Sequence, residues 1–140
     1  ILNVDFAPTL LDFADLEIPK DMQGKSFKNI FIDSNYVNHE EIYYHYYEYP
    51  KWHKVQPHYG IRTSRYKLIH YYYSMDEWEL FDLQNDPNEM FNIYNEVDES
   101  LVDELKSKLV DLQKKYRDDQ SLEEMKKMTD TVIKRSYKGI

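Results

Sequence analysis

Residues 41–48 read EIYYHYYE, 58–63 HYGIRT, 66–73 YKLIHYYY and 77–83 EWELFDL, and these four runs decide the fold. Each is rich in aromatic and β-branched side chains, which suit a pleated, half-buried surface. Thr63-Ser64-Arg65 and Ser74-Met75-Asp76 separate the last three runs and are short and polar enough for hairpins. The stretch from Tyr49 to Pro57 differs, because Pro50 and Pro57 bracket Trp52 and His53 in a segment that cannot supply a full hydrogen-bond ladder. The pattern predicts an antiparallel sheet of about four strands, with a long aromatic loop after the first.

Period-2 alternation is informative here because it fails to sort polar from apolar. In the first run Ile42, Tyr44 and Tyr46 share one face, and Tyr43, His45 and Tyr47 the other. A surface sheet ordinarily shows one apolar and one charged face. With aromatics on both, one face is expected to pack on a helix of this chain and the other to meet something else. The chain holds 14 Tyr, six Phe and two Trp. A strand-rich fold, a large buried interface and direct ligand contact would each use Tyr in this way.

Helical spacing flanks the sheet. Ser100 and Asp103 read as an S-x-x-D start, followed by a stripe of Leu101, Leu105, Leu109, Leu112 and Tyr116. Lys and Asp on the opposite side mark a solvated face. Ser121 and Glu124 cap a further helix, with Leu122, Met125, Met128 and Val132 inward and an end near Gly139. At the other terminus, Asp5 reads as an N-cap, and Phe6, Leu10, Leu11, Phe13 and Ala14 predict a short amphipathic helix up to Asp15. Ile18-Pro19 stops it, and a turn-rich loop around Gly24 follows. That helix and loop cannot form a core alone, so they are expected to dock on the next segment or on sequence outside this chain. The class is therefore α+β, an antiparallel sheet packed against a long C-terminal helix, with a short N-terminal helix.

The net charge of −8 argues against nucleic acid as a general partner and against a broad basic surface for polyanions. An anionic ligand would need a few placed cations. No apolar run is long enough for a membrane span, and nothing resembles a signal peptide. The chain opens on Ile1 in the middle of an apolar pattern, which reads as a piece of something longer. Cysteine is absent, which removes thiol nucleophiles, thiolate metal sites and disulfides. With only three Gly, no phosphate-cradling loop is present, and no Ser is followed two positions later by Pro. The histidines His39, His45, His53, His58 and His70 show no paired zinc spacing. Glu40-Glu41 and Asp118-Asp119 read as exposed polar patches. What remains is a cluster of Trp52, His53, His58, Tyr59 and Arg62. On a strand His58, Gly60 and Arg62 share a face, where a His and an Arg could grip a sulfate or carboxylate. A structural ion pair for Arg62 and simple packing for His58 is the competing reading.

Residues 3–12, NVDFAPTLLD, with Met22-Gln23-Gly24-Lys25-Ser26-Phe27, resemble the last helix and loop of the catalytic domain of type I sulfatases. The runs YHYYEYP at 44–50, HYGIRT at 58–63 and YKLI at 66–69, then EWELFDL at 77–83 and DPNE at 86–89, resemble their C-terminal subdomain. The nearest resemblance is to bacterial carbohydrate sulfatases of the N-acetylglucosamine-6-sulfatase or heparan type, over about residues 3–116.

The resemblance implies three parts. Residues 1–35 would be the tail of the catalytic domain, 36–120 the α+β subdomain and 121–140 an extra helix. It implies sulfate-ester hydrolysis by a formylglycine made in a C/S-x-P-S/A-R motif, with calcium held by Asp and Asn. All of that would lie in an N-terminal domain absent from this sequence, so no catalytic or metal residue is assigned here. The expected partners are that domain and a sulfated sugar, with His53, His58 and Arg62 at the pocket edge and the location periplasmic or extracellular. A free-standing carbohydrate-binding module, and an interaction module that self-associates through exposed aromatics, are the alternatives.

Overall fold

In the computed structural model, which describes residues 1–50 and 53–137, the four runs form one antiparallel sheet in the order β1-β2-β3-β4. The strands are β1 (Ile42–Tyr46), β2 (His58–Arg62), β3 (Tyr66–Tyr71) and β4 (Glu77–Asp82). Each is shorter than its aromatic run, because pairing partners run out first. Thr63 already turns toward β3, donating its backbone N–H to the Tyr66 carbonyl at 2.8 Å. Register places His45 opposite Tyr59, Tyr59 opposite His70 and His70 opposite Trp78, so these four stand in one row across the sheet.

This row belongs to the face that packs on helices. Tyr59, Ile61, Leu68, Tyr72 and Leu80 meet Val102, Leu105, Leu109 and Leu112 of helix α2 (Glu99–Tyr116) and Met125 of helix α3 (Leu122–Tyr137). Full burial of each aliphatic side chain contributes about 1.5–3 kcal/mol, so this layer dominates the stability of the unit spanning residues 41–140. The expected leucine stripe on α2 is present. Its start is not at Ser100, however, because the extended backbone of Asp98 already turns the chain and Asp98 C=O accepts from Leu101 N–H at 3.1 Å. Ser121 caps α3 as the spacing predicts. Its Oγ accepts from Glu124 N–H at 3.3 Å, while Glu124 accepts from Ser121 N–H at 2.9 Å. The expected end of α3 near Gly139 lies outside the described residues.

Gly60 is required by the sheet. A Cβ there would sit 2.4 Å from the Leu68 carbonyl oxygen and 2.6 Å from the Tyr44 hydroxyl. Backbone cannot give way as a flexible side chain can. Gly60→Ala is therefore expected to cost about 1–3 kcal/mol in chemical denaturation. An unchanged midpoint would contradict the close approach.

Residues 1–40 form a separate compact unit. A 3-10 turn (Asn3–Asp5) leads into helix α1 (Phe6–Phe13), which ends before the expected Asp15; that residue adopts φ 52°. Asp5 stands at the start of α1, but its side chain makes no capping bond there. Its fully buried carboxylate accepts from the Leu2 and Lys25 amides at 2.7 and 2.9 Å and contacts His39 Nε2 at 2.8 Å. Burial alone would raise its pKa, but these bonds outweigh it and hold the carboxyl below its ordinary value. The amphipathic stripe behaves unexpectedly. Pro8 and Thr9 are buried, whereas Phe6, Leu10 and Phe13 are 53%, 68% and 51% exposed.

Candidate functional site

The two sheet faces carry different chemistry. On the helix-packed face, two Tyr–His–Asp chains run between strands and neighbouring segments. Asp118 Oδ2 accepts from Tyr43 at 2.6 Å and Tyr47 at 3.0 Å, and lies 2.7 Å from His45 Nδ1. His45 Nε2 lies 2.9 Å from the Tyr72 hydroxyl. An ionised carboxylate only accepts, so Nδ1 carries the proton and Nε2 takes the phenol hydrogen of Tyr72. The other chain has the opposite tautomer: His70 Nε2 faces Asp76 at 2.7 Å and Nδ1 faces the Tyr59 hydroxyl at 2.7 Å. The His70 ring also stacks on Trp78 at 4.1 Å, and Lys106 lies over that indole at 4.4 Å.

Burial dominates the protonation of both imidazoles. It pushes His45 and His70 below the ordinary histidine value, even though each faces an anion that pulls the other way. Asp118 stays low because its hydrogen bonds outweigh the upward push of burial. Burial also pushes the Tyr59 phenol up to about 12. Every ring nitrogen of these chains is engaged: Asp118 ties the end of α2 to β1, and Asp76 ties the β3–β4 turn to the sheet.

Asp118 reaches β1 because of a local backbone device. Arg117 takes a left-handed conformation, φ 57° and ψ 39°, and Asp118 N–H then donates back to the Gln113 carbonyl at 2.9 Å. This Schellman-type ending reverses the chain and aims Asp118 at the sheet. The reading of Asp118 as an exposed patch is thus corrected. Its side chain is only 14% exposed.

The opposite face carries Tyr44 and Tyr46, then His58, Gly60 and Arg62, then Lys67, Ile69 and Tyr71. Tyr46 stacks on His58 at 5.4 Å, and Tyr44 and Tyr71 meet the same ring at 6.0 and 5.2 Å. His58 Nδ1 donates to the Gln56 carbonyl at 2.8 Å, so the neutral ring offers Nε2 as an acceptor. The hydroxyls of Tyr44 and Tyr46 are buried and find no hydrogen-bond partner among the described residues. Burial pushes both phenols above their ordinary value.

The expected site residues are only partly brought together. His58 and Arg62 share the face, as the alternation predicts, but four steps along the strand separate them by about 13 Å. They address two points rather than one anion. Arg62 is half exposed and lies 3.8 Å from Glu89, which also takes an ion pair from Lys67. Lys67 and Glu89 were not singled out from sequence, although Glu89 lies in the DPNE run. Asp86 accepts from the Met90 and Phe91 amides at 2.7 and 2.8 Å and so shapes the turn that returns Glu89 to the strands, a return that the DPNE run alone does not reveal. His53 is exposed in the Tyr49–Pro57 connection, and Trp52 lies outside the described residues. Among the described residues no group of three His, Cys, Asp or Glu side chains could hold a metal ion, and no helix is long and apolar enough to cross a membrane.

Comparison with known proteins gives a consistent picture. The model of the family described as N-sulphoglucosamine sulphohydrolase, C-terminal, matches residues 1–115. An N-acetylglucosamine-6-O-sulfatase of Bacteroides thetaiotaomicron is 47% identical over 121 residues, and an arylsulfatase of Clostridium perfringens 32% over 91. Those matches take in 84% and 65% of this chain but 22% and 18% of the relatives, so the chain spans about a fifth of their length. A structure solved in complex with its substrate D-glucosamine-2-N,6-O-disulfate superimposes with TM-score 0.80 and 46% identity, covering 86% of this chain and 25% of that one. A 2-O GAG sulfatase superimposes with TM-score 0.69 and 25% identity, covering 82% of this chain and 25% of that one.

Proposed function

Because the chain belongs to the family of N-sulphoglucosamine sulphohydrolase C-terminal domains, we propose that it supports a carbohydrate sulfatase and helps it recognise a sulfated glucosamine, without supplying catalytic groups. One observation carries this reading: the sheet face away from the helices is chemically unfinished. Two buried phenol hydroxyls without partners among the described residues stand beside a ring-packed His58 and the Arg62–Glu89–Lys67 pairs. An unsatisfied buried hydroxyl costs about 1–3 kcal/mol, so a face holding two is expected to be completed by groups from outside this chain. The exposed Phe6, Leu10 and Phe13 of α1 support the same conclusion for residues 1–40, which fit the end of a larger catalytic domain. Calcium and the formylglycine belong, in this reading, to that domain. Freed from it, the chain is expected to self-associate through these apolar residues, which sedimentation at several concentrations would detect.

Recognition here means positioning. His58 Nε2 as an acceptor, His53 as an exposed imidazole and Arg62 as a forked cation would orient sugar hydroxyls and sulfate oxygens for attack by groups elsewhere. The test uses the full polypeptide that carries this chain, with N-acetylglucosamine 6-sulfate and D-glucosamine-2-N,6-O-disulfate as substrates. Arg62→Ala is expected to raise KM about tenfold or more, as loss of a charge-assisted hydrogen bond does, with kcat much less affected. His53→Ala and His58→Ala should act in the same direction. Unchanged KM in all three would remove the recognition role.

A further inference from the structure

Helix α3 lies beyond the matched family residues, which end at 115, yet it places Met125 in the core, although Leu122, Met128 and Val132 of the expected inward stripe are exposed. Met125 and Thr129 are 2% and 5% exposed, and Thr129 Oγ1 donates back to the Met125 carbonyl at 3.1 Å. The next residue, Asp130, accepts a hydrogen bond from the Tyr73 hydroxyl at 2.7 Å. That bond, more than burial, pushes the Tyr73 phenol up to about 12. The same three residues after β3 also touch both ends of the Tyr49–Pro57 connection. The Tyr73 ring packs on Tyr49 at 5.6 Å, Tyr72 N–H donates to the Pro57 carbonyl at 3.3 Å, and Ser74 Oγ donates to Gln56 Oε1 at 2.7 Å.

We infer that α3 is a clasp: Asp130 fixes Tyr73, and the adjoining Tyr72 and Ser74 hold Pro57 and Gln56, so that the segment 53–57, which carries His53, stays in place for substrate. This deepens the recognition reading and rests on it. Geometry favours a positioning role over simple core filling. Core filling needs Met125, but it does not need a polar bond from the exposed Asp130 to a ring that itself packs on Tyr49. Tyr73 and Asp130 are positioning residues, acting on the sugar only through the connection.

The test again uses the full polypeptide. Ending the chain at Gln120 removes α3, but exposing the core around Met125 could prevent folding, so Asp130→Ala and Tyr73→Phe are the informative variants. Amide exchange read by mass spectrometry over residues 53–57 is expected to rise roughly two- to tenfold in both, as loss of one hydrogen bond predicts, with residues 77–82 unchanged. KM for D-glucosamine-2-N,6-O-disulfate should rise with kcat retained. Unchanged exchange at 53–57, or an equal rise across the whole sheet, overturns the inference. If KM moves in His53→Ala but not in Asp130→Ala, positioning by α3 is overturned and recognition stands. If KM moves in none of these variants nor in Arg62→Ala, the recognition reading fails and takes the positioning with it.

Discussion

Asp118→Ala is expected to destabilise residues 41–140 by about 3–5 kcal/mol, read as a lower denaturant midpoint at neutral pH. The carboxylate is the single acceptor shared by Tyr43, His45 and Tyr47, and its removal strands donors in very unequal surroundings. His45 has a side chain only 2% exposed, so its Nδ1–H would lose its partner without gaining water. Tyr43 is half-buried and would lose a 2.6 Å bond. Tyr47, by contrast, is 50% exposed and can turn to solvent. Tyr47→Phe is therefore expected to cost about 1 kcal/mol or less, and the contrast between the two variants tests whether buried donors carry the energy. Equal losses would mean that the buried Tyr43 and His45 donors add nothing beyond the exposed Tyr47 bond.

The same cluster sets a pH dependence whose sign follows from the histidines. His45 and His70 are both held below the ordinary value of 6.5, mainly by burial, so the unfolded chain binds protons that the folded chain refuses. Their contribution is complete above pH 6.5 and is lost as the pH falls through the lower folded values. The slope is at most ~1.4 kcal/mol per pH unit for each imidazole. The lowered carboxyls of Asp118, Asp76 and Asp5 add loss in the same direction, below their ordinary value of 3.8. Unfolding midpoints should thus fall on acidification from pH 7 to 5. His70→Gln, which keeps some hydrogen-bonding capacity without titrating, should flatten the curve.

The sheet was legible because its signals are local. Strand propensity, two short polar connections and the interrupting Pro50 and Pro57 each depend on neighbours in sequence, and together they place four strands in hairpin order. The leucines of α2 were legible for the same reason. The two Tyr–His–Asp chains were not, because register brings residues dozens apart into one row and a left-handed Arg117 aims Asp118 at it. Nothing in the pair Asp118-Asp119 distinguishes a clasped carboxylate from a solvated one. On the open face the alternation correctly placed His58 with Arg62, but propensity cannot measure that a strand spreads them about 13 Å apart. Nor could spacing show that Glu89 returns to occupy Lys67 and Arg62. Helix α1 shows the reverse case: its stripe was read correctly as apolar, yet it stays exposed because its partner was never within these 140 residues, in the reading proposed above.

That reading gives the sharpest expected loss of activity. The 140-residue chain alone should release no sulfate from N-acetylglucosamine 6-sulfate above the buffer rate, at any concentration and with calcium added. Sulfate-ester hydrolysis needs a nucleophile, an acid for the leaving oxygen and charge to stabilise the transferring sulfuryl group. The chain has no Cys and no Ser followed two positions on by Pro, so the precursor of the expected formylglycine is missing. Four of its five histidines are already engaged: His39 with Asp5, His45 with Asp118, His70 with Asp76 and His58 with the Gln56 carbonyl. The fifth, His53, is exposed and has no second ionisable group beside it among the described contacts. Positioning groups of this kind contribute only when a reacting centre stands opposite them, which is why the full polypeptide should turn over while the chain does not. The informative control is the full polypeptide with residues 41–140 deleted. If recognition is their role, that variant should lose most of its kcat/KM, with the rise in KM larger than the fall in kcat. Calcium-dependent turnover that persists in the rigorously purified 140-residue chain would place catalytic groups inside it and overturn the assignment.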